Sequence, residues 1–244
     1  QMFESIEDQF GMARANGNLG DFYFRQGQYE QAKSYLEESI QIGYEINESA
    51  VSAKVVSTLG LTYMNQGKYE EGISCQLVQL EISERNNDKQ GMAKLYTDLG
   101  IIYFEKGDYD DALESYQKGL KLAEELGNKQ QKAIAIGCIG NVYVRKGNYP
   151  SAMEHFELDL ELVEELGDKQ GTAIALGLIG ELLSIKGDFH RAIEYLQKNL
   201  MLSEELGYQK GIALAVNTLA DIFFYTEQYD RALHYYDRAI DVTR

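Results

Sequence analysis

The chain has 244 residues, 44% of them hydrophobic and 25% charged, with 39 acidic against 23 basic side chains and a formal net charge of −16 at pH 7. That balance fits a folded protein rather than a disordered or fibrous one. The negative charge would repel nucleic-acid phosphates and anionic lipid, so neither nucleic acid nor membrane is an expected partner. The longest charge-free apolar stretch, AIAIGCIGNVYV (133–144), falls well short of the roughly 20 residues a spanning helix needs. Cys75 and Cys138 stand alone in the sequence, without the spacing of a disulfide framework or zinc site. A reducing compartment, the cytoplasm, is the expected location.

The amino-terminal segment SIEDQFGMA (5–13) resembles two later junctions, NNDKQGMA (86–93) and LGDKQGTA (166–173). The chain is therefore expected to begin inside the tail of an earlier repeat and to be a piece of a longer protein. From there the sequence repeats at a shift of 40. Gly20, Gly60, Gly100, Gly140, Gly180 and Ala220 each follow a Leu or Ile. A turn glycine recurs as Gly27, Gly67, Gly107, Gly147 and Gly187, with Glu227 as the one departure. Two residues later comes an aromatic, from Tyr29 to Tyr229, and three further on a small residue, from Ala32 to Ala232. Six copies of one unit result, at about 11–50, 51–90, 91–130, 131–170, 171–210 and 211–244, read as a single domain over 1–244.

Each unit reads as two helices. In the first, apolar residues at helical spacing, such as Tyr96, Leu99, Gly100 and Tyr103, share one face and form core. The second starts after the turn glycine, carries Leu113, Tyr116, Leu120 and Leu122 as its apolar side, and ends at EELG. Gly127, Gly167 and Gly207 suit a helix C-terminus. Asp88, Asn128 and Asp168 suit the N-cap of the following helix, and Pro150 sits in a first turn, where a missing N–H costs nothing.

These residues resemble the tetratricopeptide repeats, whose pattern is a Leu-Gly pair, a Tyr three residues after the Gly, a turn, an Ala and a later aromatic. Two features depart from that family. The period is 40 rather than 34, and Asn16, Val56, Tyr96, Ile136, Leu176 and Val216 stand where the family often has Trp, with its late Pro absent. The longer unit is similar to the extended subtype of Pins-type polarity scaffolds, kinesin light chains and bacterial regulatory proteins. The resemblance implies an all-α fold, a right-handed α-solenoid of six stacked helix-turn-helix repeats, with the first helix of each pair lining a concave groove.

Opposite the core face, the first helices carry a second stripe, spaced three and four residues apart. One row reads Arg14, Lys54, Lys94, Ile134, Ile174, Leu214, changing from cationic to aliphatic halfway along. Another reads Phe24, Met64, Phe104, Val144, Ser184, Phe224, and Asn18, Arg25 and Asn141 are polar candidates beside it. A third row, Gly17, Ser57, Thr97, Gly137, Gly177, Asn217, is small throughout, and close helix packing is the favoured explanation. Residues 13–26 and the same window at each later shift of 40 hold eight basic against five acidic side chains, so the excess acid lies elsewhere. The repeated pairs Glu124/Glu125, Glu164/Glu165 and Glu204/Glu205 read as architecture.

Catalytic signals are thin. His155, His190 and His234 are scattered, Cys138 and His155 lack a third orienting group, and no phosphate-cradling glycine loop occurs. No enzyme, cofactor or metal site is expected. The resemblance extends to co-chaperones that clamp a C-terminal carboxylate with Lys and Asn on their first three inner helices. The matching places here hold Gly17, Asp21, Thr58, Lys94 and Asp98, of which Lys94 alone fits, so no appreciable affinity for chaperone tail peptides is expected. The expected function is a non-catalytic scaffold that binds a protein or peptide, with an acidic and an apolar half, in the groove. The alternative is a ligand- or peptide-sensing regulatory domain of a larger signalling protein. Uncovered apolar residues near Leu219, Phe223, Tyr236 and Ile240 would permit self-association at the end of the array.

Overall fold

Forty-residue periodicity becomes helix pairs because each unit alternates two amphipathic stretches with two short turns. In a computed structural model the described residues, 2–46 and 53–242 (side chains from 8 to 46 and from 54 to 242), are all helix and turn. The expected junction between the first two repeats (47–52) lies outside them, as do residues 1, 243 and 244. The amino-terminal segment 5–13 lies within the first helix.

Two compact units, 1–127 and 128–244, each hold three pairs. The first contains α1 (Met2–Arg25), α2 (Tyr29–Glu45), α3 (Ala53–Asn65), α4 (Tyr69–Arg85), α5 (Lys89–Lys106) and α6 (Tyr109–Glu125). The second contains α7 (Lys129–Arg145), α8 (Tyr149–Glu165), α9 (Lys169–Ile185), α10 (Phe189–Leu206), α11 (Gln209–Tyr225) and α12 (Tyr229–Val242). No described helix is long and apolar enough to cross a membrane.

Local chemistry sets the helix ends. The side chains of Asp88, Asn128 and Asp168 accept the backbone N–H of Gly91, Gln131 and Gly171 at 2.9, 3.0 and 2.9 Å. Each such cap contributes about 1 kcal/mol. The turn glycines from Gly27 to Gly187 adopt φ between 71° and 95°, and Glu227 adopts the same left-handed conformation at 59°. Pro150 occupies the first turn of α8.

Packing repeats with the sequence. Within the first unit Leu36 fills the space over Gly20, and Tyr116 that over Gly100. Within the second, Phe156 covers Gly140 and Leu196 covers Gly180. Full burial of side chains such as Phe156, Leu196, Leu36 and Ile102 contributes about 1.5–3 kcal/mol apiece. The start of a first helix is tied to the end of its second helix by Lys89–Glu125 (2.7 Å), Lys129–Glu165 (2.5 Å) and Lys169–Glu205 (2.5 Å). The repeated glutamates are thus architectural, and each exposed pair adds at most about 1 kcal/mol.

The last pair differs from expectation. Leu219 and Phe223 are completely buried, because α11 is held between α9 and α10 on one side and α12 on the other. Phe223 also stacks on Tyr235 and takes the Arg231 guanidinium over its ring at 3.8 Å. Tyr236 is half-buried and donates to Asp221 at 2.6 Å. Of the four residues expected to be uncovered, Ile240 is the exposed one, and Phe224, Tyr225, Tyr229 and Leu233 of the same helix pair are also exposed.

Candidate functional site

In the first unit two members of the cationic row, Lys54 and Lys94, are paired within the protein. Lys54 and Arg25 converge on Asp21 Oδ2 at 3.0 and 3.2 Å. Burial pulls the Asp21 carboxyl upward, but Lys54 and then Arg25 outweigh it and hold the group below its ordinary range. Lys94 donates to Asp98 Oδ2 at 2.8 Å and to Ser57 Oγ at 3.0 Å, and the Ser57 hydroxyl also donates to Asp98. Lys54 and Lys94 therefore answer carboxylates on the first helices themselves, which leaves little net charge for a ligand to read. Arg14 and Asn18 are exposed on α1.

The aromatic row sits over the turns. Phe24 lies 5.9 Å from Tyr29 and Phe104 5.6 Å from Tyr109, ring centre to ring centre. Phe24 and Met64 also lean on the core, which draws these two toward packing. In the second unit Phe224 meets Tyr229 at 5.9 Å and remains half-exposed, whereas Val144 leans on the core.

The second unit brings three of the expected residues together. Ile134, Asn141 and Ile174 line one cavity of about 460 Å³ between α7, the end of α8 and α9. The first helices α9 and α11 lie side by side, while α7 and α9 stand further apart, and the cavity occupies the gap. Ile134 and Ile174 are 47% and 40% exposed, so its walls present apolar surface to solvent. Leu214 lies further along, its Cδ2 3.1 Å from where a Cβ on Gly177 would stand.

At the back of this cavity is Asp159, a residue that the sequence does not single out. It is 6% exposed, and among the described residues it has no hydrogen-bond or ion-pair partner. Burial, helped by the neighbouring charge of Asp168, pushes its carboxyl up to about 7. The signal lies in the second helices at a shift of 40: Ser39, Gln79, Gly119, Asp159, Asn199. In that row Ser39 donates to the Ala13 carbonyl at 2.7 Å and Asn199 to the Ala173 carbonyl. Asp159 alone combines the place with a charge. On α9, Glu181 is also raised above the ordinary carboxylate range by burial.

Helix pairs repeated at forty residues, with first-helix side chains left open to solvent, define an α-solenoid repeat protein. The sequence profile of the tetratricopeptide repeat matches residues 51–125 and 131–200, more than half of the chain. Further profiles of that repeat match 13–42, 213–244 and 97–160. The chain belongs to the tetratricopeptide-repeat family. Comparison with curated proteins gives no match.

Among solved structures, the apo form of RapI is 19% identical, with a TM-score of 0.76 over 96% of this chain and 84% of that one. Aspartyl phosphate phosphatase F from Bacillus subtilis is 14% identical, with a TM-score of 0.77 over 100% of this chain and 73% of that one. A signal-transduction ATPase with a tetratricopeptide repeat sensor, from Pyrococcus horikoshii, is 17% identical, with a TM-score of 0.72 over 96% of this chain and 37% of that one. At these identities the similarity is one of fold.

Proposed function

We propose that this protein is a non-catalytic interaction scaffold that holds a peptide or a segment of a partner protein against its first helices. The observation that carries the reading is the pair Ile134 and Ile174, two exposed aliphatic side chains on neighbouring first helices that face one cavity edged by Gln130, Asn141 and Gln170. Exposed apolar walls with a few polar groups at the margin suit a bound chain: the walls supply affinity and the polar groups fix register. Selecting a library of displayed twelve-residue peptides against the full chain tests this. Peptides enriched on the wild type should lose binding to Ile174→Asp, which sets a charge against apolar contacts. Enrichment that Ile174→Asp leaves untouched would move the binding surface elsewhere.

A second reading, a sensing domain within a larger signalling protein, is favoured by the fold similarity to the tetratricopeptide repeat sensor of the Pyrococcus horikoshii ATPase. Both readings use the same surface. They separate on whether ligand binding alters an attached output domain.

A further inference from the structure

The aliphatic walls of the second unit's cavity end on a buried carboxyl with nothing to bind. Asp159 is more than nine-tenths buried yet unpartnered among the described residues, and an uncompensated buried carboxylate is costly to keep. No Lys, Arg or His lines the cavity. The second carboxylate in the lining, Asp168, uses Oδ1 to cap α9 through the Gly171 N–H, and Asn141 lies on the α7 side.

Residue 137 is glycine, which lets α7 pass close over the Asp159 carboxylate, and both residues line the cavity. A Cβ there would stand 2.9 Å from Asp159 Oδ2, 3.5 Å from its Cγ and 4.0 Å from Oδ1, with no other heavy atom among its three nearest neighbours. One repeat later an aliphatic side chain stands over the equivalent glycine: a Cβ on Gly177 would meet both Asn199 Nδ2 and Leu214 Cδ2 at 3.1 Å. Of the two carboxylate oxygens, Oδ2 is the one that lies against Gly137. A single unpartnered carboxylate at the end of an apolar-walled cavity suits a compact ammonium, which bonds as a point charge.

We infer that this cavity is a binding subsite for a primary ammonium on an aliphatic stem, with the stem between Ile134 and Ile174 and the charge on Asp159. Asp168 and Asn141 line the same cavity and carry oxygens able to accept hydrogen bonds from an ammonium. A lysine side chain of a bound segment has this chemistry, and so does a free alkylamine. The inference rests on the scaffold reading only where the ammonium belongs to a peptide.

The test is titration of the full chain at pH 8, by calorimetry and by following the Gly137 and Gly171 amide signals. The probes are pentylammonium, pentanol, and the capped peptides acetyl-Gly-Lys-Gly-amide and acetyl-Gly-norleucyl-Gly-amide. Pentylammonium should bind at least tenfold more tightly than pentanol, and the lysine peptide more tightly than its norleucine twin. Binding of pentylammonium without the peptide assigns the site to a free amine; binding of both assigns it to a side chain. Asp159→Asn should erase the preference for charge, while Asp188→Asn, at an exposed N-cap of α10, should not. The Asn variant should fold, since Asn199 holds the same place in the next repeat, and its cooperative thermal melt verifies this.

Equal binding of pentylammonium and pentanol, or a preference that survives Asp159→Asn, would overturn the inference. In the peptide selection above, loss of binding in Ile174→Asp with none in Asp159→Asn would leave the scaffold standing and remove the ammonium site.

Discussion

Gly137 on α7 faces Asp159 on α8 so closely that a methyl group at residue 137 would come within 2.9 Å of the carboxylate. The same 22-residue relationship recurs in other pairs. Gly17 faces Ser39, Gly177 faces Asn199, and in the third pair the roles are exchanged, with Thr97 facing Gly119. The small row of the first helices is therefore the partner of a polar row on the second helices: one member of each of these pairs must be small for the helices to close. Gly137→Ala is expected to change stability by less than about 1 kcal/mol, since the helix propensity gained offsets the crowding. It should cost at least tenfold in pentylammonium affinity, because the methyl would crowd Oδ2 and any cation bound to it. Unchanged affinity in that variant would show that ligands do not approach Asp159 past Gly137.

Asp159 should also govern how stability depends on pH. Its carboxyl is pushed from 3.8 to about 7 in the folded chain, by burial first and Asp168 second. Between about pH 4 and 7 the folded state holds a proton that the unfolded state has released, so this group makes stability fall as pH rises through that window and adds nothing further above it. A difference of this size corresponds to at most about 4 kcal/mol, and hydration through the cavity mouth brings the expected figure to about 1–3 kcal/mol. Asp159→Asn should therefore be more stable than the wild type by that amount at pH 8 and equal to it near pH 4, in urea titrations across the range. Parallel curves for the two proteins would place the ordinary carboxylate pKa at this site.

The cationic row of the first unit is expected to matter for folding before binding. Asp98 is 7% exposed and is held by Lys94 and Ser57. Lys94→Met removes a charge-assisted hydrogen bond from a buried acceptor and should cost about 1–2 kcal/mol. Lys54→Met should cost less than about 0.5 kcal/mol, because Asp21 keeps Arg25 and the pair is more exposed. Equal losses in the two variants, read from urea midpoints, would contradict this ranking.

Much of the architecture is legible in the sequence because it is local. The caps at Asp88, Asn128 and Asp168 and the left-handed turns from Gly27 to Gly187 depend on residues within a few positions of one another. The Lys94–Asp98 pair is local too, four residues apart on one helix face. The Lys54–Asp21 pair spans 33 residues and two helices, so a row of lysines reads as free charge until the helices are placed. Asp159 is hidden for the same reason. Among Glu154, Glu157 and Glu161 on an acidic second helix it looks solvated, and its burial follows from the close approach of Gly137 on the preceding helix. Leu219 and Phe223 were equally dependent on packing, since α12 covers them from outside their own helix.

The turn at Glu227 offers a test of the backbone alone. Five repeats place glycine at this position, and Glu227 adopts φ 59° without that freedom. A left-handed conformation costs a residue with a Cβ about 1–2 kcal/mol, and glycine returns part of the gain through its larger unfolded-state entropy. Glu227→Gly should therefore stabilise the protein by about 0.5–1 kcal/mol, seen as a higher urea midpoint with the slope unchanged. Glu227→Ala separates backbone from charge, because alanine removes the carboxylate but keeps the Cβ. If alanine stabilises as much as glycine, the gain comes from relieving charge on an acidic surface; if glycine alone does so, the sixth repeat carries the strain that the other five avoid.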